Sequence, residues 1–247
     1  MPGLSCVPNR PSLMRILVGR LLVAALAALA LAAVLVRAGV LPMPDRWNPF
    51  TPLSIANEPN WLTRTKLGWL KDDPLQCHAV LQGAAIAFSP LPDRTTGEGC
   101  GFSNAVAVER ASVAFNDGFP ASCPLAAAFA LFERHVLQQA AREHLGREVA
   151  RVEHFGTYAC RNLYHRESGR RSEHATANAI DIAGFVLEDG TRVTLKGDWD
   201  GDGGKAAFLR ALRDGACRIF NVTLGPDYNE AHRDHFHFDM GPRRACR

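Results

Sequence analysis

The amino-acid sequence predicts an α+β domain built on a small antiparallel sheet, flanked by helices and preceded by an N-terminal transmembrane helix. The first supporting observation is a set of short strand-like segments, at residues 152–158, 179–187, 192–195, 218–223 and 234–239. The second is the uneven spacing of the helices, because regular alternation of strand and helix would indicate a parallel sheet. The third is a long apolar run close to the N-terminus.

The composition is that of a globular protein and disfavours several functional classes. The 247 residues are 47% hydrophobic and 21% charged, and the formal net charge is +3. Because this charge is small, we expect no nucleic-acid partner. The sequence contains no repeat of solenoid length and no glycine-rich phosphate loop, which disfavours repeat proteins and the common nucleotide-binding proteins.

Residues 1–40 are predicted to form a cytoplasmic tail and a membrane anchor. The chain is apolar and uncharged from Leu21 to Val36, with Arg10, Arg15 and Arg20 before this run and Arg37 after it. This charge pattern favours a single-pass membrane anchor with the N-terminus in the cytoplasm. The alternative is a cleaved signal peptide. Both interpretations place the rest of the chain across the membrane.

The cysteines independently indicate an oxidising compartment. Cys6 precedes the apolar run, and six further cysteines follow it, at positions 77, 100, 123, 160, 217 and 246. Their spacing contains no CxxC pair, which disfavours a structural zinc cluster and a thioredoxin-like site. The sequence therefore predicts up to three disulfides, worth about 2–4 kcal/mol each, with their connectivity left open.

The remainder divides into a stalk and a domain. Residues 41–75 contain six prolines together with Trp47, Trp61 and Trp69, so we expect an extended stalk that is partly docked. Residues 76–247 form the predicted domain. Its clearest helix begins at Ser122-Cys123-Pro124 and ends at Gly146, and a second helix is predicted at residues 205–214.

Two segments carry the candidate chemistry. The sequence AHRDHFHFDM contains His232, Asp234, His235 and His237. In an extended strand, His235 and His237 would share one face while Phe236 and Phe238 pack on the other. That is how a strand presents two imidazoles to one centre.

The second segment is SEHATANAIDIAGF, which contains His174 and Asp181. An extended chain between these residues would separate them by more than about 20 Å, so the segment must reverse near Ala177. Asp181 lies inside an apolar strand, where a carboxylate is costly unless a cation or several donors receive it. Two imidazoles and one carboxylate are a standard catalytic zinc shell with a position left for water.

These motifs resemble those of known families. The pattern S-x-H-x-x-x-x-A-x-D followed by H-x-H is similar to that of the zinc D-Ala-D-Ala peptidases, murein endopeptidases and lysostaphin-type enzymes, whose fold the Hedgehog signalling domain shares. With CRNLY, DGAC and LGPDYNEAHRDHFHFDMG included, the region from Cys77 to Cys246 resembles the bacterial extensin-like C-terminal domain family, which is usually grouped with those peptidases.

The resemblance implies particular roles for individual residues. The metal ligands would be His174, Asp181 and His237, and the implied ion is Zn²⁺. The catalytic base would be one of His235, Asp234 and His232, and this choice stays open. Arg161 would face the substrate carboxylate or carbonyl. The peptidases usually have glycine where this chain has Ala177, so the turn must accommodate a methyl group.

The expected function is that of a zinc metallopeptidase that cuts peptidoglycan stem peptides outside the cytoplasmic membrane, as a D,D-carboxypeptidase or an endopeptidase. The alternative from another class is a wall-binding or scaffolding module that keeps zinc without turnover, since one fold hosts unrelated functions. A third interpretation treats the histidines as a metal-free, pH-sensitive surface.

Overall fold

A computed structural model describes residues 13–247, so Cys6 lies outside the described residues. The chain divides into two compact units, Met1–Thr51 and Pro52–Arg247. In the first unit, helix α1 spans Leu13–Arg37, and an 18-residue stretch within Met14–Arg37 has a mean hydropathy of 2.4. By length and composition this helix could cross a membrane, and a signal sequence near the N-terminus has the same features.

The second unit begins at Pro52 and takes in most of the segment predicted as a stalk. Two helices lie there, α2 (Thr63–Trp69) and α3 (Pro74–Gln82). The side chains of Leu53, Ile55 and Leu67 belong to the hydrophobic core. Residues on both sides of position 76 therefore contribute to the core of this unit.

Twelve strands occur among the described residues. They are β1 (Ala87–Leu91), β2 (Arg94–Gly97), β3 (Cys100–Phe102), β4 (Ala105–Arg110), β5 (Ala114–Phe115), β6 (Phe119–Ser122), β7 (Val149–Gly156), β8 (Ala179–Leu187), β9 (Arg192–Thr194), β10 (Val222–Leu224), β11 (Phe236–Asp239) and β12 (Ala245–Cys246). The largest sheet has the order β12-β10-β11-β8-β7-β5, with β9 paired to β8. A three-stranded sheet, β1-β4-β6, and a β2-β3 hairpin accompany it.

The predicted α+β class with antiparallel sheets is confirmed. The central pairs β7-β8 and β8-β11 are antiparallel, and only the short outer pairs β5-β7 and β10-β12 of the largest sheet are parallel. The register of β8 and β11 sets His237 directly opposite Asp181. Cross-strand neighbours share a face, so the sheet brings together two side chains that are 56 residues apart in the sequence.

The helices α4 (Cys123–Phe132), α5 (Gln138–Leu145), α6 (Leu195–Asp198) and α7 (Gly204–Ile219) complete the domain. The predicted helix start is confirmed, because the Ser122 hydroxyl accepts a hydrogen bond from the Leu125 backbone N–H. Gly146 ends α5 in the left-handed conformation, with φ at 65°. A π-helical turn, Glu133–Leu137, joins α4 to α5.

The core lies between these helices and one face of the largest sheet. Phe236 and Phe238 stack with their ring centroids 5.4 Å apart, and Phe238 also packs against Phe132 of α4. Because alternate residues point to opposite faces, the burial of these two phenylalanines turns His237 away from the core. The apolar packing of β11 therefore directs the His237 imidazole to the face of the sheet opposite the core.

The strand predicted at residues 218–223 is wrong in its first half. Helix α7 continues to Ile219, and only Val222–Leu224 is extended. Leu212, Ala216 and Ile219 are buried at helical spacing, so the apolar stripe of the helix runs on through the segment that was predicted as strand.

The six cysteines beyond the apolar run form three disulfides, as predicted. The pairs are Cys77–Cys123, Cys100–Cys160 and Cys217–Cys246. The second pair joins the β2-β3 hairpin to the connection between β7 and β8. That connection has little regular structure, so a covalent tie limits its movement.

We expect the double replacement Cys100→Ser and Cys160→Ser to destabilise the domain by about 2–4 kcal/mol, because it frees a loop closed over 60 residues. Urea unfolding of the oxidised proteins measures this difference. A change below about 0.5 kcal/mol would show that the hydrogen bonds of the loop hold it without the disulfide.

Candidate metal centre

The turn that carries His174 reverses the chain immediately before β8. The Ser172 hydroxyl accepts a hydrogen bond from the His174 backbone N–H at 3.3 Å and caps a single 3₁₀ turn, Glu173–Thr176. Ala177 then adopts the left-handed conformation, with φ at 52° and ψ at 31°, and it is fully buried. The reversal expected from the sequence is thus present, and the turn accommodates the methyl group.

Three potential ligand atoms converge, one from each of the residues predicted to bind metal. The groups of His174, Asp181 and His237 place their donor atoms within 4.8 Å of one another. The Nε2 atom of His174 lies 3.1 Å from Asp181 Oδ2, and the Nδ1 atom of His237 lies 2.9 Å from Asp181 Oδ1. The two imidazole nitrogens are themselves 3.2 Å apart.

The outer nitrogen of each imidazole is occupied by a hydrogen-bond acceptor. His174 Nδ1–H donates to the Thr157 carbonyl at 3.1 Å, and His237 Nε2–H donates to Asp239 Oδ2 at 3.1 Å. The inner nitrogens, His174 Nε2 and His237 Nδ1, face Asp181, and loss of their protons to a bound cation would direct both lone pairs at one point. Two lone pairs and a carboxylate facing one another at these distances are suited to a cation, and outer hydrogen bonds of this kind orient histidine ligands.

The electrostatics of the cluster also favour positive charge at its centre. Burial alone would raise the pKa of Asp181, but hydrogen bonds from His174 and His237 outweigh it and hold the pKa well below its usual range. Burial alone would lower the pKa of His237, but the carboxylates of Asp181 and Asp239 raise it to about 9. The anionic charge that stabilises this proton would equally stabilise a metal cation.

His235 and Asp234 form a hydrogen-bonded pair beside the ligands. Asp234 Oδ1 accepts from His235 Nδ1–H at 2.9 Å, which leaves His235 Nε2 pointing at the centre, 3.7 Å from Asp181 Oδ1. His235 directly precedes β11 and still reaches the face that carries His237. Of the two residues, His235 therefore approaches the centre, and Asp234 orients it.

His232 packs against His235, with the two ring centroids 5.2 Å apart, and Arg161 acts on it electrostatically. The ring centroids of His232 and His237 are 5.9 Å apart, and His232 Nδ1–H donates to Asn229 Oδ1 at 2.7 Å. Burial, followed by the positive charges of His237 and His235, lowers the pKa of His232 to about 4, and the Arg161 guanidinium contributes in the same direction. Among the described residues, no side chain or carbonyl binds that guanidinium.

Sequence reasoning missed the residues that orient the ligands. Asp239 lies two positions after His237 on the same strand, so strand alternation could have identified it. Thr157 contributes a backbone carbonyl, and Asn229 acts on His232 from a loop, so neither contribution has a local sequence signal. Tyr164 and Tyr228, whose hydroxyl oxygens are 3.0 Å apart, were also missed.

The fold and the site define a disulfide-bonded α+β domain with a His–Asp–His group that could hold a metal ion. The family described as extensin-like protein C-terminus matches residues 75–247, which is more than half of the chain, and the chain belongs to this family. No curated protein and no solved structure matches the chain.

Replacing Ala177 tests the turn that presents His174. We expect Ala177→Val to destabilise the domain by about 2 kcal/mol or more, because a β-branched side chain is strained at this φ and lacks space in a fully buried position. Ala177→Gly should stay within about 1 kcal/mol of the parent, since relief of strain offsets the lost methyl packing. Thermal unfolding distinguishes the two variants, and equal stabilities would contradict this account of the turn.

Metal affinity tests the convergence of the three ligand atoms. We expect the purified protein to bind one Zn²⁺ per chain, and we expect His174→Ala to remove that binding because it deletes a donor atom. Asp239→Asn, which weakens only the orientation of His237, should reduce the affinity by about 10–100-fold. Equilibrium dialysis with elemental analysis measures both changes.

His144→Ala, which alters a histidine of α5, is the matched control and should leave metal affinity unchanged. Zinc bound equally well by the parent and by His174→Ala would place the ion elsewhere in the molecule.

Proposed function

We propose that the protein is a zinc-dependent peptidoglycan peptidase that acts on cell-wall stem peptides outside the cytoplasmic membrane. The observation that carries this proposal is the convergence of His174, Asp181 and His237, with the outer nitrogen of each imidazole hydrogen-bonded to an acceptor and the inner nitrogen facing Asp181. Two imidazoles and a carboxylate form a set of three protein ligands and leave one position for solvent or substrate, as catalytic zinc sites do.

The chemistry of the donor atoms supports zinc over harder cations. Magnesium and calcium prefer shells made mostly of oxygen, whereas imidazole nitrogens suit zinc. When bound, zinc would polarise a carbonyl group and make water acidic enough to ionise near neutral pH.

His235 is the residue best placed to move the proton. Its Nε2 atom faces the centre, and its Nδ1–H is held by Asp234, so one ring nitrogen is available to a water molecule. In amide hydrolysis the water oxygen bonds to the carbonyl carbon, the carbon–nitrogen bond breaks, and the proton passes through His235 to the leaving amine. Asp234 acts as a positioning residue, and His232 stays uncharged at neutral pH because its pKa is lowered.

Arg161 would bind the substrate through its unpaired guanidinium. A half-buried guanidinium without an acidic partner can bind a terminal carboxylate or stabilise the developing oxyanion. Its positive charge also lowers the pKa of His232, which supports a role for Arg161 beside the centre.

The location follows from helix α1 and the disulfides. If α1 remains in the chain it anchors the domain to the membrane, and if it is cleaved the domain is released into the periplasm. Three disulfides suit the oxidising side of the membrane, where peptidoglycan lies. The relationship to the zinc peptidase and Hedgehog group rests on the resemblance of the two motifs and is part of this proposal.

Incubation of the zinc-loaded protein with muropeptides, followed by mass analysis of the products, tests the proposed activity. We expect peptide-bond cleavage that a chelator abolishes and that added Zn²⁺ restores. His235→Ala should keep its zinc and lose about 100-fold or more in kcat/KM, because only the proton carrier is removed.

His135→Ala is the matched control, because that imidazole binds the Ile55 carbonyl away from the centre, and its activity should equal that of the parent. Zinc binding without any change in muropeptide mass would contradict a peptidase and support the non-catalytic wall-binding module instead.

A further inference from the structure

A continuous line of aromatic rings crosses the centre. The hydroxyl oxygens of Tyr164 and Tyr228 are 3.0 Å apart, and the Tyr228 ring lies 5.3 Å from that of His232. The His232 ring lies 5.2 Å from that of His235, which in turn lies 5.8 Å from the ring of Phe155. We call the pair of Tyr164 and Tyr228 the tyrosine clasp.

The two ends of this line differ. Phe155 belongs to β7, on one side of β8, and its side chain is 64% exposed. Tyr228 follows β10, on the opposite side of the sheet order, and Tyr164 reaches it from the connection between β7 and β8. Two separate loops therefore meet at the clasp, where Tyr164 is 49% and Tyr228 is 39% exposed, whereas the end at Phe155 is a single side chain.

The loop that carries Tyr164 is braced at its base. The Asn162 amide donates to the Arg166 carbonyl at 2.9 Å and accepts from the Arg171 guanidinium at 3.1 Å. Arg171 also donates to the Glu98 carbonyl of the β2-β3 turn at 2.7 Å. With the adjacent Cys100–Cys160 disulfide, these contacts fix where the loop begins and ends.

The loop that carries Tyr228 is held by side chains from a different part of the domain. The neighbouring carboxylate of Asp227 accepts from the Trp199 indole N–H at 2.8 Å and from Arg213 of α7 at 3.2 Å. Both loops of the clasp are therefore held at their bases by contacts with the rest of the domain. The two tyrosine hydroxyl oxygens, 3.0 Å apart, join the loops to each other.

The backbone at Tyr164 is strained. Tyr164 and His165 have φ values of 54° and 56°, in the left-handed region that favours glycine. Consecutive residues of this kind persist only where surrounding contacts impose them, and such outliers concentrate at functional sites. Here the strain directs the Tyr164 ring toward Tyr228, and the Arg166 guanidinium supports the ring from 6.0 Å.

We infer that the tyrosine clasp closes one end of the substrate-binding site and makes the enzyme exo-acting, so that the peptide chain must end at the clasp. This inference rests on the proposed peptidase function. Tyr228 packs on His232, whose ring lies 5.9 Å from that of the ligand His237, so the clasp lies beside the centre. Arg161 lies three residues before Tyr164 on the same loop, and no side chain or carbonyl among the described residues binds its guanidinium, so this loop also carries a free positive charge. A positive charge at the closed end would bind a terminal carboxylate. A peptide that continued beyond this point would clash with the clasp.

Two synthetic peptides test the inference with the zinc-loaded full chain. One ends in D-Ala-D-Ala with a free carboxylate, and the other is the same peptide extended by two glycines. Mass analysis distinguishes release of alanine from release of alanyl-glycyl-glycine. We expect the parent protein to cleave the shorter peptide with a kcat/KM at least about tenfold higher.

The variant Tyr164→Gly removes the ring at a backbone conformation that glycine prefers, so it should fold. We expect it to reduce the preference for the shorter peptide at least about tenfold, through faster cleavage of the extended peptide. Tyr164→Phe keeps the ring and loses the hydroxyl contact, so its effect should be smaller. Trp69→Ala, which removes an exposed aromatic side chain in α2, is the control and should keep the preference of the parent.

Three results would overturn the inference, and they are distinguishable. Equal cleavage of both peptides by the parent would exclude a closed end while leaving the peptidase function intact. An unchanged preference in folded, zinc-loaded Tyr164→Gly would show that the clasp does not set chain length. Failure of the zinc-loaded parent to cleave either peptide would count against the proposed function, and the inference would fall with it.

Discussion

The constraint on which the rest of the site depends is the burial of one carboxylate in the middle of a sheet. Asp181 lies in β8 among apolar neighbours, and a charge in that position requires compensation. The register with β11 supplies one imidazole directly opposite, and the turn before β8 supplies the other. Thr157 and Asp239 bind the outer nitrogens of the two rings and so fix their orientation. The inner nitrogens and the carboxylate therefore face a single point, at which a cation would lie.

The side chains around this point stand on irregular segments rather than on strands or long helices. Such segments bury little apolar surface, so packing alone does not hold them. The Cys100–Cys160 disulfide, the Arg171 contacts and the Asp227 contacts replace that packing at the base of each loop. The rigid part of the site is thus the sheet, which carries Asp181 and His237, together with the turn before β8, which carries His174. The surrounding loops are held by individual hydrogen bonds and one disulfide.

The sequence was sufficient to predict the elements with strong local signals. Helix capping at Ser122, strand alternation around His237 and the small residues before Asp181 all predicted local structure that is present. The extent of α7 was misjudged because an apolar stripe fits both helix and strand over a short segment. The tyrosine clasp was beyond prediction, since Tyr164 and Tyr228 are 64 residues apart and meet only through loop geometry.

The disulfides make the geometry of the site depend on the compartment. Reduction of the Cys100–Cys160 pair would release the base of the loop that carries Arg161 and Tyr164. Disulfides persist in oxidising compartments, and the helix near the N-terminus is long and apolar enough to cross a membrane. Under the proposed export, the compartment that forms the disulfides is also the one in which the loops hold their positions around the three donor groups.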